Sequence, residues 1–263
     1  MSRPGWPEVR FLPTEAGLTP AIWRSPAPER PRHPFAALFV PPFAEEMNRT
    51  RRLMALAGQM LAIEGIPSLL PDLPGTGDSP LPFREATWEG WVEALTACAG
   101  HLAEQGLGVR LVGIRLGGLL AADALAQGCQ AQSLALVDPV EDGRLHMRHW
   151  LRIRSAASME IGPRITLSYL QTQLDNGQTI EVAGYEMGPQ LVNRINALKL
   201  APLLAEAQVP VHRLDVTAPG AETQAPVADG RRIIAADAPW NSFEPAEPAA
   251  LARAVADMVQ EAA

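Results

Sequence analysis

Residues 113–117, Gly-Ile-Arg-Leu-Gly, have the glycine spacing of a tight turn that carries a serine nucleophile in many enzymes. An apolar, strand-like run precedes this segment and a helix-like run follows it, as such a turn requires. The central residue, however, is Arg115. Its guanidinium stays protonated in proteins, so it cannot attack a carbonyl carbon. The spacing therefore predicts a strained turn that lifts Arg115 into a pocket but provides no nucleophile.

The histidine that would activate a nucleophile is also missing from its expected position. In enzymes with this turn, the acid and then the histidine follow the nucleophile along the chain. Asp215 stands where the acid is expected, but no histidine follows His212. Residues 237–241, after the last predicted strand, read Asp-Ala-Pro-Trp-Asn, so Trp240 occupies the histidine region. We therefore do not expect a Ser-His-Asp mechanism.

Two adjacent carboxylates, Glu45 and Glu46, open a predicted helix directly after a Pro-Pro-Phe turn. The positive end of the helix dipole favours a carboxylate there, which accounts for one glutamate and leaves the other to face the pocket. A cation at a helix N-terminus is unfavourable, and a buried one needs an anion, so Arg115 requires a partner. We expect Glu45 or Glu46 to supply it, with Asp138 and Asp72 as alternatives.

A second group of cations lies further along the chain. Arg144, Arg148 and Arg152 recur at every fourth residue and therefore share one face of a predicted helix. This face is either simply solvated or a basic lid for an anionic ligand or a membrane surface. His146 and His149 lie on the same helix, where they either pack or hang over the pocket.

Composition and charge exclude several classes of protein. The formal net charge of −7 argues against a nucleic-acid-binding surface, which needs concentrated positive charge. The sequence contains no apolar run long enough to span a membrane, and its N-terminus lacks the apolar core of a signal peptide. Two cysteines do not make a disulfide framework, so we expect a cytoplasmic protein. No histidine has metal-ligand spacing, and we expect neither a metal nor a cofactor.

Most of the chain alternates predicted strands with predicted helices, which favours a mostly parallel, doubly wound α/β sheet. Residues 141–205 interrupt this alternation with helix-like segments and no convincing strand. We therefore predict a core made of residues 1–140 and 206–263, with residues 141–205 inserted as a helical cap. Because the insertion leaves from the carboxyl end of a strand, the cap should cover that end of the sheet.

Four segments carry a resemblance to known proteins. The strand–turn–helix around residues 113–117, the Pro-Pro-Phe turn and the glycine-rich loop 72–79 together resemble the α/β-hydrolase superfamily. More narrowly, residues 41–48, 113–117 and 182–187 look like the exosortase A system-associated hydrolase 2 family. The resemblance implies an α/β-hydrolase fold in which an arginine is a regular feature of the turn at residues 113–117, which we call the elbow. It also implies that the gene lies near bacterial loci for exopolysaccharide synthesis and protein sorting.

Three interpretations of function remain open at this point. In an atypical hydrolase, backbone N–H groups near Phe43 and Leu116 would polarise a carbonyl, Arg115 would hold an anionic group and a glutamate would act as base. A non-catalytic protein would bind an anionic small molecule or an acyl or carbohydrate intermediate. A structural partner of exopolysaccharide biosynthesis proteins would have a closed pocket. The candidates for chemistry are Arg115, Glu45, Glu46 and Asp215, and those for ligand contact are Phe43, Arg115, Leu116 and Trp240.

Overall fold

The computed structural model describes residues 6–158, 165–220, 230–241 and 248–261. Within these ranges the strands are β1 (Pro7–Thr14), β2 (Gly17–Arg24), β3 (Phe35–Val40), β4 (Ser68–Pro71), β5 (Gly108–Ile114), β6 (Ser133–Val137), β7 (Ile180–Val182), β8 (Tyr185–Met187), β9 (Val211–Thr217) and β10 (Arg231–Ala235). The helices are α1 (Ala44–Ile63), α2 (Trp88–Glu104), α3 (Leu116–Ala126), α4 (Gly143–Ala157), α5 (Leu167–Asp175), α6 (Pro189–Ala197), α7 (Leu200–Ala205) and α8 (Ala249–Glu261). In the described part of the chain, no helix combines the length and apolar composition needed to cross a bilayer.

The main sheet has eight strands in the order β1-β2-β4-β3-β5-β6-β9-β10. The pairs β1–β2 and β2–β4 are antiparallel, and every other neighbouring pair is parallel. Since parallel strands end at the same edge, the segments that follow β3, β5, β6 and β10 come together there. Those segments contain Phe43, Arg115, Asp138 and Trp240, and this edge is where open α/β sheets bind ligands.

Helices cover both faces of the sheet, and β3 shows why. All six residues of β3 are buried, and successive side chains of a strand point to opposite faces. Leu38 accordingly packs in the cluster that contains residues of α2 and α3, whereas Phe39 packs in the cluster formed with α1 and α8. Burial on both sides is typical of a parallel strand between two helical layers, so the sheet is doubly wound, as predicted.

The segment between β6 and β9 leaves the core and returns to it at one place. An isolated bridge joins Asp142 to Lys199, and the Leu200 amide donates to the Glu141 carbonyl at 2.9 Å. Between these ends lie α4, α5, the β7–β8 hairpin and α6, while residues 159–164 of the predicted cap fall outside the described residues.

The hairpin corrects the prediction that this segment contains no strand. β7 and β8 pair antiparallel over three residues each, which is too short for an alternating pattern to be recognised in the sequence. The turn between them consists of Ala183 and Gly184, with φ of 51° and 84°. A two-residue hairpin turn of this hand needs positive φ at both central residues, and Ala183 adopts it without being glycine.

Helix α6 is attached to the core through the buried carboxylate of Asp123. This carboxylate accepts hydrogen bonds from Trp88 Nε1 (2.7 Å), Gln127 Nε2 (2.8 Å) and an Arg194 terminal nitrogen (3.1 Å). Trp88 belongs to α2, Gln127 follows α3 and Arg194 belongs to α6. A buried charge needs such partners, so this network holds part of the inserted segment against two core helices.

The turn between β5 and α3 is possible because its glycines have no side chains. A Cβ on Gly117 would lie 2.0 Å from the Val40 carbonyl oxygen, and one on Gly113 would lie 2.5 Å from the Gly118 Cα. Their absence lets α3 begin directly against the end of β3. Arg115, between them, has φ 54° and ψ −121°, a strained conformation for a residue with a Cβ.

We predict that Gly117→Ala destabilises the fold by about 2–3 kcal/mol, because the new methyl group must displace backbone and not a flexible side chain. Gly100→Ala in α2 is the matched control, since a Cβ there meets nothing within 4 Å. It should stabilise the helix by about 0.5–1 kcal/mol. Urea unfolding of both variants measures the difference. Equal stability of the two variants would show that the turn can relax.

Candidate functional site

A cavity of about 460 Å³ opens at the carboxyl edge of the sheet, between the core and α4. We call it the cleft. Its walls come from the start of α1, the β5–α3 turn, the outer part of α4, the β7–β8 turn and the segment after β10. The lining residues are Glu45, Glu46, Arg49, Arg115, His149, Trp150, Ile153, Ala183, Trp240 and Asn241. A concave site of this size, with aromatic walls and a few polar groups, is typical of small-molecule binding.

Arg115 is anchored mainly by Asp138. One terminal nitrogen of Arg115 donates to the Asp138 backbone oxygen at 2.8 Å and to its carboxylate at 2.9 Å. The other terminal nitrogen lies 3.5 Å from Glu46 Oε1. Asp138 follows β6, which pairs directly with β5, and the two turns therefore lie side by side. The partner is thus one of the sequence alternatives, with Glu46 as a second and longer contact.

The other two carboxylates considered for Arg115 have different partners. Glu45 accepts from Arg49 Nε at 3.1 Å, one helical turn further along α1. Asp72 accepts from an Arg51 terminal nitrogen at 2.6 Å. Among the described residues neither of them pairs with Arg115, so the ion pair of that guanidinium is the one with Asp138, and Glu46 makes the longer contact.

Backbone strain concentrates around the cleft. Among the described residues, four non-glycine residues have positive φ: Ala44 (53°), Arg115 (54°), Asp138 (42°) and Ala183 (51°). Arg115 and Ala183 line the cleft, Asp138 binds Arg115, and Ala44 directly precedes Glu45. Such conformations persist only where the surrounding structure imposes them, and they cluster at functional sites.

Burial raises the pKa of Glu46, and the nearby Asp138 carboxylate adds to the rise. The charges of Arg115 and Arg49 act in the opposite direction but do not cancel the effect of burial. Glu46 Oε2 is buried and has no hydrogen-bond partner within the described residues. The Glu46 carboxyl therefore keeps its proton at a pH where an exposed glutamate has lost it.

Two histidines of the inserted segment approach the cleft, and the buried one, His146, is a weak base. Burial lowers the pKa of His146 to about 3, helped by the positive charge of Arg115 and by His149. The His146 ring packs 5.9 Å from the Phe43 ring, and its Nε2 has no partner in the described part of the chain. His149 lines the cleft from an exposed position on α4.

Trp240 fills the place where a catalytic histidine is expected. It follows β10 and is buried, and its ring centroid lies 5.4 Å from the Arg115 guanidinium carbon. The Trp240 carbonyl accepts a hydrogen bond from Arg49 at 3.3 Å. The indole therefore forms one wall of the cleft and faces the cation of the elbow, an arrangement that is weakly attractive.

Three residues proposed from the sequence do not present their side chains to the cleft. Asp215 lies inside β9 and pairs with Arg213 at 2.6 Å and with Arg231. It is misplaced because site residues here lie on the segments that follow strands, not within them. Phe43 and Leu116 are buried against a separate void of only about 10 Å³. Their side chains support the turns, and only their backbones stand at the starts of α1 and α3.

Several lining residues escaped the sequence analysis. Arg49 could have been found, because it lies four residues after Glu45 on the same helix. Trp150, Ile153 and Ala183 could not, because their position depends on how the inserted segment folds over the core.

The hairpin is held at the cleft by a contact between two of the segments that carry the family resemblance. Asn48 Nδ2 donates to the Tyr185 hydroxyl at 2.6 Å, and Arg84 lies 3.3 Å from Glu186. Tyr185 belongs to β8 and Asn48 to α1. These contacts explain why Ala183, in the adjoining turn, reaches the wall of the cleft.

Comparison with known proteins identifies the fold and nothing narrower. No family model matches the chain, and no curated protein matches it in sequence. Among solved structures, Est1E from Butyrivibrio proteoclasticus with bound ferulic acid is 14% identical, with a TM-score of 0.67 over 96% of this chain and 98% of that one. Hypothetical protein PA2218 from Pseudomonas aeruginosa is 14% identical, with a TM-score of 0.64 over 100% and 95%.

A third neighbour, XC6422 from Xanthomonas campestris, is described as an α/β serine hydrolase without a lid. It is 14% identical, with a TM-score of 0.57 over 98% of this chain and 95% of that one. Identities this low show common architecture and not common chemistry. The chain therefore has the α/β-hydrolase fold that its sequence predicts.

Proposed function

We propose that this chain is a ligand-binding protein built on a hydrolase fold, in which the elbow supplies a positioning group and no nucleophile. The observation that carries the proposal is Arg115, fixed to Asp138 at the wall of an open cleft of about 460 Å³. In a purely structural protein we would expect the Arg115–Asp138 pair to be packed over by neighbouring side chains. Here the pair instead borders a cavity. A concave volume of this size with aromatic walls argues for a ligand.

The charges of the cleft indicate which ligand it takes. Arg115 is balanced by Asp138 and Arg49 by Glu45, and Glu46 adds a buried carboxyl whose pKa is raised. The cleft therefore offers no uncompensated cation to an anion, in contrast to one expectation from the sequence.

The cleft walls include Trp150, Ile153 and Trp240, with carboxyl, amide and guanidinium groups between them. This lining suits a neutral ligand with an apolar face and several hydroxyl or carbonyl groups. Of the ligand classes expected from the sequence, an acyl or carbohydrate intermediate fits this description. The motif resemblance supports exopolysaccharide synthesis as its source.

An atypical hydrolase is the second candidate, and Glu46 is the observation in its favour. A carboxyl whose pKa is raised beside a cleft is the kind of group that serves as a general acid or base. Measurement of turnover alongside binding separates the two candidates.

We predict that n-octyl β-D-glucoside, used below its micelle concentration, saturably changes the tryptophan fluorescence of the protein without being consumed. Two indoles, Trp150 and Trp240, line the cleft, so Trp240→Phe should lose a large part of the change. Trp23→Phe is the matched control, because Trp23 is buried on β2 away from the cleft. A wild-type signal that does not saturate would contradict binding. Hydrolysis of this glycoside or of p-nitrophenyl butyrate by the wild type would favour the second candidate.

We predict that Arg115→Ser does not create an esterase. A serine needs a base held against it to activate it. Among the described residues, the imidazoles of this region are the buried His146 and the exposed His149 on the far wall of the cleft. A pKa of about 3 makes His146 a weak base, and burial, the main cause, persists in the variant. Hydrolysis of p-nitrophenyl butyrate and labelling by a fluorophosphonate probe should stay at the level of a mock purification. Labelling that a second substitution at the new serine abolishes would show that a competent base exists.

We predict that Glu46→Gln stabilises the protein at pH 8 and that the gain disappears in acid. Because the folded-state pKa of Glu46 is raised, the folded protein binds this proton more tightly than the unfolded chain does. The contribution is thus fully present below the ordinary value of 4.5 and is lost as pH rises through the raised pKa. Glutamine stays neutral throughout, so melting should rise by roughly 2–4 °C at pH 8, about 1 kcal/mol for a chain of this size.

Glu45→Gln is the matched control for this measurement. Its carboxylate pairs with Arg49 near the surface, so its loss should bring no gain at pH 8. A Glu46→Gln melting shift that is the same at pH 5 and pH 8 would contradict the assignment of a raised pKa to Glu46.

A further inference from the structure

The outward face of α4 is unlike the rest of this acidic protein. The helix carries four arginines and no carboxylate between Gly143 and Ala157, in a chain of net charge −7. Arg144, Arg148 and Arg152 are exposed and share one side of the helix. Their guanidinium groups therefore form a local positive stripe on the inserted segment.

The part of the chain that the structure describes supplies these arginines with no carboxylate partner. Within the described residues, no ion pair involves Arg144, Arg148 or Arg152. The opposite side of α4 packs into the core through Met147, Trp150 and other apolar residues. Because that side is fixed, the helix cannot rotate to bring its arginines to a carboxylate.

Exposed apolar side chains lie beside the arginine stripe on the same helix. Leu145 is 63% exposed and Ile153 is 41% exposed, although both are large aliphatic residues. Ile153 also lines the cleft, together with His149. Going around α4, the surface therefore changes from arginines to apolar groups and then to the mouth of the cleft.

We propose that this surface, the α4 face (Arg144, Leu145, Arg148, Arg152 and Ile153), docks the protein on an anionic lipid surface. Unpaired arginines are attracted to anionic headgroups, and neighbouring exposed aliphatic side chains gain by entering the headgroup layer. A soluble polyanion such as a nucleic acid would use the arginines but gives no role to Leu145 and Ile153. Docking in this orientation brings the mouth of the cleft to the membrane, from which an acyl-bearing ligand can enter it. The proposal does not depend on ligand binding in the cleft.

Co-sedimentation with vesicles tests the docking. The wild-type protein should bind vesicles of phosphatidylcholine that contain one third phosphatidylglycerol, but not vesicles of phosphatidylcholine alone, and high salt should release it. The triple variant Arg144→Gln/Arg148→Gln/Arg152→Gln should bind about 100-fold more weakly, since each arginine near the surface contributes roughly a fivefold factor. No sedimentation of the wild type with the anionic vesicles would overturn the proposal.

A matched control separates the α4 face from net charge. Arg30→Gln/Arg32→Gln/Arg253→Gln removes the same charge from exposed positions outside the inserted segment and should keep wild-type binding within a few-fold. Equal losses in both triple variants would overturn the proposal.

A third variant separates lipid from other polyanions. Leu145→Ser should weaken vesicle binding while leaving retention on immobilised heparin unchanged. Retention on heparin without any vesicle binding would assign the face to a soluble polyanion instead. Octyl glucoside binding should be unaffected in all these variants, so failure of the docking proposal is distinguishable from failure of the proposed function.

Discussion

The ion pair between Arg115 and Asp138 is the interaction on which the site depends. It joins the turns that follow two adjacent strands, β5 and β6, at the carboxyl edge of the sheet. A guanidinium at the start of α3 faces the positive end of the helix dipole, and the Asp138 carboxylate offsets that field. Both residues have positive φ, so each turn is strained in the position that allows the contact. The charge balance at Arg115 follows from this pair, and both of its members also act on Glu46, whose pKa is raised mainly by burial.

The elbow and the fold could be predicted from the sequence because local patterns determine them. The glycines at 113 and 117 indicate that two backbone segments approach closely, and the alternation of strands and helices predicts a parallel sheet. The partner of Arg115 could not be predicted, because Asp138 and Glu46 both lie near it and small differences in distance decide between them. Asp215, expected at the position of the acid, lies within β9 and pairs with Arg213 and Arg231, because tertiary contacts that no motif shows decide where its carboxylate points.

In the inserted segment the sequence predicts the arginine stripe but not the residues that line the cleft. The arginine stripe of α4 follows from four-residue spacing alone, and the structure leaves that stripe exposed. Which face of the helix turns inward depends on tertiary packing. The sequence therefore could not predict that Trp150 and Ile153 line the cleft. The protein thus keeps two sets of cations apart. Those at the elbow are compensated at close range, whereas those on α4 have no partner among the described residues.

Retention of a strained elbow without a nucleophile requires a physical reason. Positive φ at a non-glycine residue costs about 1–3 kcal/mol, and four such residues adjoin this cleft. If the site had only to be filled, a relaxed turn with an apolar side chain would be more stable than a partly buried ion pair. The strained geometry instead holds a guanidinium and a carboxyl of raised pKa at fixed positions beside aromatic walls. Such preorganised groups lower the entropic cost of binding a ligand, which is the advantage that a binding protein would gain from the strain.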